Sequence, residues 1–196
     1  MMAPRKKTLE RRKEIVEVAV HIIDTEGIHA LTLQSIAGRL GISDVALLRH
    51  FRSKEEIVET LAQKVFFSTV VPEMFDPNAP LVDNLESLLD HQFAEFETWP
   101  ESTSVLFGEE ILREYPAVRA WFLVRRKERH NKLVHMVNNG KTAGVIWQDL
   151  DADAFATTFM GAMRMAVMDW RDSGRTSSLR SQALPLAVLL AKAAEA

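Results

Sequence analysis

The sequence predicts an all-α protein: an N-terminal three-helix helix-turn-helix head followed by a C-terminal helical bundle, about nine helices in total. Three observations predict it. Apolar residues recur with a helical period along most of the chain, no stretch sustains the period-two alternation of a half-buried strand, and proline or glycine punctuates the helical runs. The chain has 196 residues, 47% of them hydrophobic, which suffices for a packed core without crosslinks, and it has no cysteine. Disulfides, thiolate metal sites and cysteine nucleophiles are thereby excluded, and a reducing, cytoplasmic setting is the expectation.

The first helix is predicted over 9–26, because Ile15, Val18, Ala19, Ile22 and Ile23 fall at i, i+3, i+4, i+7 and i+8, and Gly27 supplies a stop. Thr32 has the hydroxyl to cap a short helix over 33–40. Gly41 supplies the positive φ of a tight turn, Ile42 an apolar plug beneath it, and Ser43 the cap of a helix over 44–50. Ser53 caps a fourth helix from 54 to about Val71, where Pro72 stops it, and residues 72–80, with Pro72, Pro77 and Pro80, read as a linker-like loop. Longer helices follow at about 81–99, 102–114, 117–139 (ended by Gly140), 151–172 and 178–195.

Net charge is −3, which by itself argues against a nucleic-acid binder, but the average hides an asymmetry. Residues 1–54 carry ten Lys/Arg against six Asp/Glu, and the remainder 14 against 21. This split fits a head that meets phosphate and a body that stays off it; a basic arm that binds nothing has the same composition. Charged residues rather than an apolar run follow Arg5-Lys6-Lys7, so no export signal is expected, and no run of about 18 apolar residues predicts a membrane partner.

Two short helices joined by a three-residue, glycine-containing turn behind a supporting helix have the form of a helix-turn-helix, although a plain corner in a bundle shares that form. In the DNA-binding reading the second helix lies in the major groove, while Ile36, Ala37, Leu40, Ile42, Leu47 and Leu48 pack inward and fix its angle. The identities of the residues are more specific. The stretch from Leu31 to Glu55 has Thr32 ahead of Ile36-Ala37, then Gly41-Ile42-Ser43, His50-Phe51 and Ser53-Lys54-Glu55, and it resembles the DNA-binding domain of TetR-family regulators. Behind the head the resemblance is one of length and helix order. Leu48 stands where the family usually has a phosphate-contacting Tyr, and Val45 where Gly or Pro is frequent.

The resemblance implies roles for particular residues. Thr32 and Lys54 clamp phosphates at helix N-termini, and Gln34, Val45, Ala46 and Arg49 face the groove. Gln34 suits adenine, Arg49 guanine or a phosphate, and Val45 or Ala46 a thymine methyl. Ser43 and Asp44 open the recognition helix; Asp44 complements the helix dipole or accepts from a cytosine amino group. His50 and Phe51 close the helix and support the fold. The arm Arg5-Lys6-Lys7, with Arg11-Arg12-Lys13, adds phosphate or minor-groove contacts. Residues 1–54 are accordingly assigned to DNA binding, with the motif at about 32–51, and 55–196 to a helical ligand-binding and dimerisation domain.

In the body, Phe155, Phe159, Met163, Val167 and Trp170 form one apolar face of a helix, and Gly161, Ala162 and Met165 its flank. With the apolar 184–190, these surfaces form either a four-helix homodimer interface, as in TetR-like proteins, or the core of a monomer. Phe93, Phe96, Trp99, Phe107, Trp121, Phe122, Phe159 and Met163 line a small-molecule pocket if the resemblance holds, or fill a plain core. Arg164 faces an anionic ligand or a carboxylate such as Asp169.

Enzyme signatures are sparse. The histidines His21, His29, His50, His91, His130 and His135 show no His-Glu-x-x-His spacing, and His91 with Glu95 reads as a solvated helix face. Glu109 and Glu110 are adjacent and point apart, and no phosphate-binding or nucleophile-elbow motif occurs. The expectation is a non-enzymatic, cofactor-free and metal-free regulator, associated with the nucleoid: a repressor that a small apolar ligand releases from a palindromic double-stranded operator. The alternative is an architectural or cell-cycle DNA-binding protein acting through a protein partner without a small ligand.

Overall fold

The computed structural model describes the backbone of residues 4–68, 76 and 78–195, and the side chains of these except 4–7, 67 and 68. The side chains of Arg5, Lys6 and Lys7, the predicted helix stop at Val71–Pro72, and Pro77 therefore lie outside the described residues. The described residues form ten α-helices: α1 (Pro4–Glu26), α2 (Leu33–Leu40), α3 (Asp44–Leu48), α4 (Lys54–Ser68), α5 (Leu81–Thr98), α6 (Ser102–Leu106), α7 (Glu109–Glu114), α8 (Pro116–Thr142), α9 (Ala152–Asp172) and α10 (Ala183–Ala194). The predicted all-α class holds, with one helix more than the count of about nine.

The chain divides into two compact units, one comprising 1–68 with 100–123 and the other 69–99 with 124–196. In the first, α1 packs against α2, α4 and α6. Ile15, Ala19, Ile22, Ile36, Leu47, Phe51, Ile57 and Leu61 form its buried core. Helix α1 begins at Pro4, ahead of its predicted start: the fixed φ of proline suits the first helical position, and the Lys, Arg and Glu residues that follow are good helix formers. The helix predicted over 102–114 is two helices. They part at Phe107–Gly108, where a Cβ on Gly108 would lie 2.4 Å from the Ser104 carbonyl oxygen.

In the second unit α5 packs on α10. The α9 face formed by Phe155, Phe159, Met163, Val167 and Trp170 is buried, as the periodicity predicts. Gly140 does not end α8. The helix runs past it to Thr142 because Gly140 serves a close approach: a Cβ there would sit 2.5 Å from Ile146 Cδ1. Gly144, at φ 76°, makes the turn instead. The final helix starts at Ala183 after a 3₁₀ turn at Arg180–Gln182, later than predicted. Pro185 thus falls in the first turn, where its missing N–H costs no helical hydrogen bond. No described helix is long and apolar enough to cross a membrane.

Candidate nucleic-acid interface and ligand crevice

The turn between α2 and α3 is held by local hydrogen bonds. Thr32 has extended backbone, and its Oγ1 accepts from the Ser35 N–H at 2.9 Å, while Ser35 Oγ accepts from the Thr32 N–H at 2.9 Å. Such a reciprocal cap contributes about 1 kcal/mol. Gly41 closes α2 in the left-handed conformation at φ 64°, and the Ile42 N–H donates to Ala37 O at 3.0 Å, which brings the chain back across the helix end. Ser43 Oγ accepts from the Ala46 N–H at 3.2 Å and starts α3. The sequence carries these signals in order, and the structure uses each of them.

Beneath the turn Ile36, Ala37 and Leu47 are buried, and Leu40 and Ile42 are half-buried. Leu48 does not pack inward: it is 43% exposed. Helix α3 ends at Leu48, short of the predicted His50, and Leu47 is the one residue of this single turn that is buried. Val45, at 66%, is more exposed still, and Gln34, Ser43, Asp44 and Arg49 are exposed with it. Ala46, His50 and Lys54 are half-buried. The Lys54 ammonium lies 5.8 Å from the centroid of the Tyr115 ring, near the start of α4.

Arg12 belongs to the fold rather than to a free arm. Its guanidinium donates to the His50 carbonyl oxygen, lies 3.1 Å from Glu56 Oε1, and stacks 3.8 Å from the centroid of the buried Phe51 ring. It therefore ties α1 to the end of α3 and the start of α4. Glu56 is held below the usual carboxylate range, chiefly by the Arg52 N–H that donates to it at 2.7 Å and also by Arg12. Arg11 and Lys13 form exposed pairs with Glu14 and Glu17. His50 Nδ1 is buried with no hydrogen-bond partner among the described residues.

The aromatic residues predicted to form one pocket fall in both units. Phe107, Trp121 and Phe122 belong to the first, where Phe122 meets Phe66 at 6.2 Å between centroids. Phe93, Phe96, Trp99, Phe159, Met163 and Arg164 belong to the second. Phe93 and Phe96 are fully buried core, whereas Trp99 and Arg164 are half-buried. Phe159 and Met163 do line a crevice in the second unit, with Leu88 and Leu133 as further apolar wall and Gln92 and Arg129 as its polar members. Its volume is about 20 Å³, room for roughly one water. Burial, with repulsion from Arg125, pushes the Arg129 guanidinium down to about 10, so it remains protonated at neutral pH. Sequence reasoning missed Arg129 because nothing separates it from the other two arginines of the charged run 125–129. A wider crevice of about 220 Å³, bordered by Asp169, Trp170, Ser173 and Gln182, lies at the end of α9.

Residues 15–61 match the family model described as bacterial regulatory proteins, tetR family. The chain is 26% identical over 183 residues to the HTH-type transcriptional repressor KstR2 of Mycobacterium tuberculosis, covering 92% of this chain and 91% of the other. The solved structure of the ketosteroid transcriptional regulator KstR2 of that organism is similar with a TM-score of 0.78, at 23% identity over 95% of each chain. The fold is shared more widely: the transcriptional regulator FadR from Bacillus subtilis, solved in complex with stearoyl-CoA, gives a TM-score of 0.73 at 20% identity, covering 91% of this chain and 97% of that one. A shorter similarity, 29% over 116 residues, links 58% of this chain to 59% of the nucleoid occlusion factor SlmA of Photobacterium profundum. The capped helix-turn-helix and the family match that spans it identify residues 15–61 as a DNA-binding head of the tetR type, and the near full-length similarity to a repressor supports a TetR-family regulator of transcription.

Proposed function

We propose that the protein is a cytoplasmic, nucleoid-associated repressor that binds a palindromic operator as a homodimer and leaves it when a small apolar ligand binds. Residues 1–54 read DNA in this account, and 55–196 dimerise and hold the ligand. The observation that carries the reading is the outward side of α3, where exposed Val45, Leu48 and Arg49 stand opposite fully buried Leu47 on a helix capped at its start by Ser43. Arg49 reads guanine, or holds a phosphate, from this face, and Gln34, Ser43, Asp44 and Ala46 border it. The Thr32 hydroxyl accepts from the Ser35 N–H and keeps its own hydrogen to donate to a phosphate, with Lys54 as the second clamp and His50 supporting the helix end.

Exposed apolar side chains on the last two helices, Met165, Leu184 and Leu189, supply a self-complementary surface for a two-fold dimer. The ligand site is the crevice at Phe159 and Met163, with Arg129 to meet a negative group; methionines let such walls part around a guest larger than water. The regulators named above are a ketosteroid regulator and a protein solved with stearoyl-CoA, which supports a largely apolar ligand here. A ligand releases the operator only if it binds the non-DNA-binding conformation more tightly than the binding one. No step of this cycle requires catalysis.

Selection of binding sites by the purified protein from random duplex DNA at near-physiological salt tests the reading. A palindrome with half-sites about one helical turn apart is expected. Binding that tracks salt alone, with no sequence enriched, contradicts it. The similarity to SlmA favours a second reading, a DNA-bound protein acting through a protein partner. That reading predicts many dispersed sites in a map of chromosomal occupancy and no small molecule that empties them.

A further inference from the structure

The geometry of α3 points to Leu48 as a specificity residue: we propose that Leu48 and Val45 form an apolar patch on the recognition helix that receives thymine methyl groups in the major groove. The inference rests on the DNA-reading head proposed above. At about 100° per residue, Val45 and Leu48 stand about 60° apart on one side of α3, while Leu47 points away from that side into the core. Their exposures are 66% and 43% against 0% for Leu47. One exposed leucine is ordinary protein surface. Two aliphatic side chains at i and i+3 on the helix that enters the groove are a contact surface, and its neighbours define what it meets.

Arg49 flanks the patch on one edge and Asp44 on the other, both exposed. Leu48 has no atom that can bond a phosphate, and the Asp44 carboxylate beside it repels one, so this edge of the helix turns toward bases. In the major groove the purines and cytosine present hydrogen-bonding groups and bare ring C–H edges; an aliphatic side chain would desolvate the former without replacing their bonds and finds no methyl on the latter. Thymine alone presents a methyl group. The patch therefore selects thymine, and Arg49 supplies the polar contact next to it.

The test begins from the operator recovered by selection. Each thymine of the half-site is replaced in turn by deoxyuridine, which removes only the C5 methyl, and affinities are measured by fluorescence anisotropy for the native protein, Val45→Ala and Leu48→Ala. Both side chains are exposed and alanine is a good helix former, so circular dichroism and thermal unfolding are expected to match the native protein. For the native protein at least one replacement lowers affinity about 4-fold, the worth of one buried methyl-sized group. That loss disappears in Leu48→Ala, and a loss at a neighbouring thymine disappears in Val45→Ala. A half-site without thymine, replacements that are neutral throughout, or losses undiminished in Leu48→Ala each overturn the proposal while leaving the DNA-reading head intact. Failure to enrich any operator overturns the head itself, and the proposal with it.

Discussion

The Arg12 guanidinium carbon sits 3.8 Å from the centroid of the Phe51 ring, and the same group donates to the carbonyl oxygen of His50 next door. Phe51 is 1% exposed, so the cation covers a core ring while its hydrogen bond holds the residue after the recognition helix and its cap. The angle at which α3 leaves the head is thus set in part from α1. Arg12→Ala is expected to destabilise the protein by about 2 kcal/mol, combining a charge-assisted hydrogen bond with a partly buried cation–π contact. Operator affinity should fall further than the loss of one phosphate contact explains. Arg12→Lys keeps the charge but not the planar fork and should recover only part of the stability in a urea titration.

Glu56 links this cluster to pH. Its carboxylate is held below its ordinary value near 4.5, first by the Arg52 N–H and then by Arg12. A depressed carboxylate contributes stability that is fully present above its unfolded pKa and is lost as pH falls through the folded value. Glu56→Gln should therefore have a lower thermal midpoint than the native protein at pH 7, and the difference should close as pH drops below about 4.5. A gap that stays constant down to strongly acid pH would remove Glu56 from the account. The two side chains are 31% and 33% exposed, and solvent screening keeps the effect small.

Thr32→Ala removes the side-chain acceptor for the Ser35 N–H and is expected to cost about 1 kcal/mol in urea unfolding. Thr32→Ser keeps the oxygen and should lie near the native value. Because the hydroxyl also donates to a phosphate in the proposed complex, Thr32→Ala should weaken DNA binding similarly on all sequences.

Gly140→Ala tests the packing of the second unit. The added Cβ meets Ile146 Cδ1 at 2.5 Å, and Ile146 is 1% exposed, so destabilisation of about 1–3 kcal/mol is expected from overpacking. Adding Ile146→Val removes the nearer of two clashing carbons and leaves Cγ1 at 2.8 Å, so it should recover only part of the thermal midpoint lost in Gly140→Ala.

The head was legible in the sequence because its signals are local. Thr32, Gly41 and Ser43 act on backbone groups within five residues of themselves, and each is a residue type chosen for that task. The role of Arg12 was not legible, since its partners lie 38 and 44 residues away and a cation in a basic stretch reads equally as a phosphate contact. Leu48 was misread because two adjacent leucines on a five-residue helix give no period to tell which one faces inward, and only Leu47 does. Gly140 was misread because glycine both ends helices and admits close neighbours, and only the position of Ile146 separates the two. In the body, periodicity identified the buried face of α9, but it could not separate Phe93 and Phe96, which fill core, from Phe159 and Met163, which border a crevice.

The central claim is that the exposed side of α3 reads sequence, and Arg49→Ala tests it most directly. Affinities of the native and variant proteins for the selected operator and for a scrambled duplex should be compared at one salt concentration. The account predicts that the variant loses roughly 5- to 150-fold on the operator, the worth of one bidentate base contact, with only a small change on the scrambled duplex and no change in thermal midpoint. Equal losses on both duplexes would make Arg49 a phosphate contact, and a native protein that binds the two duplexes alike would contradict the claim.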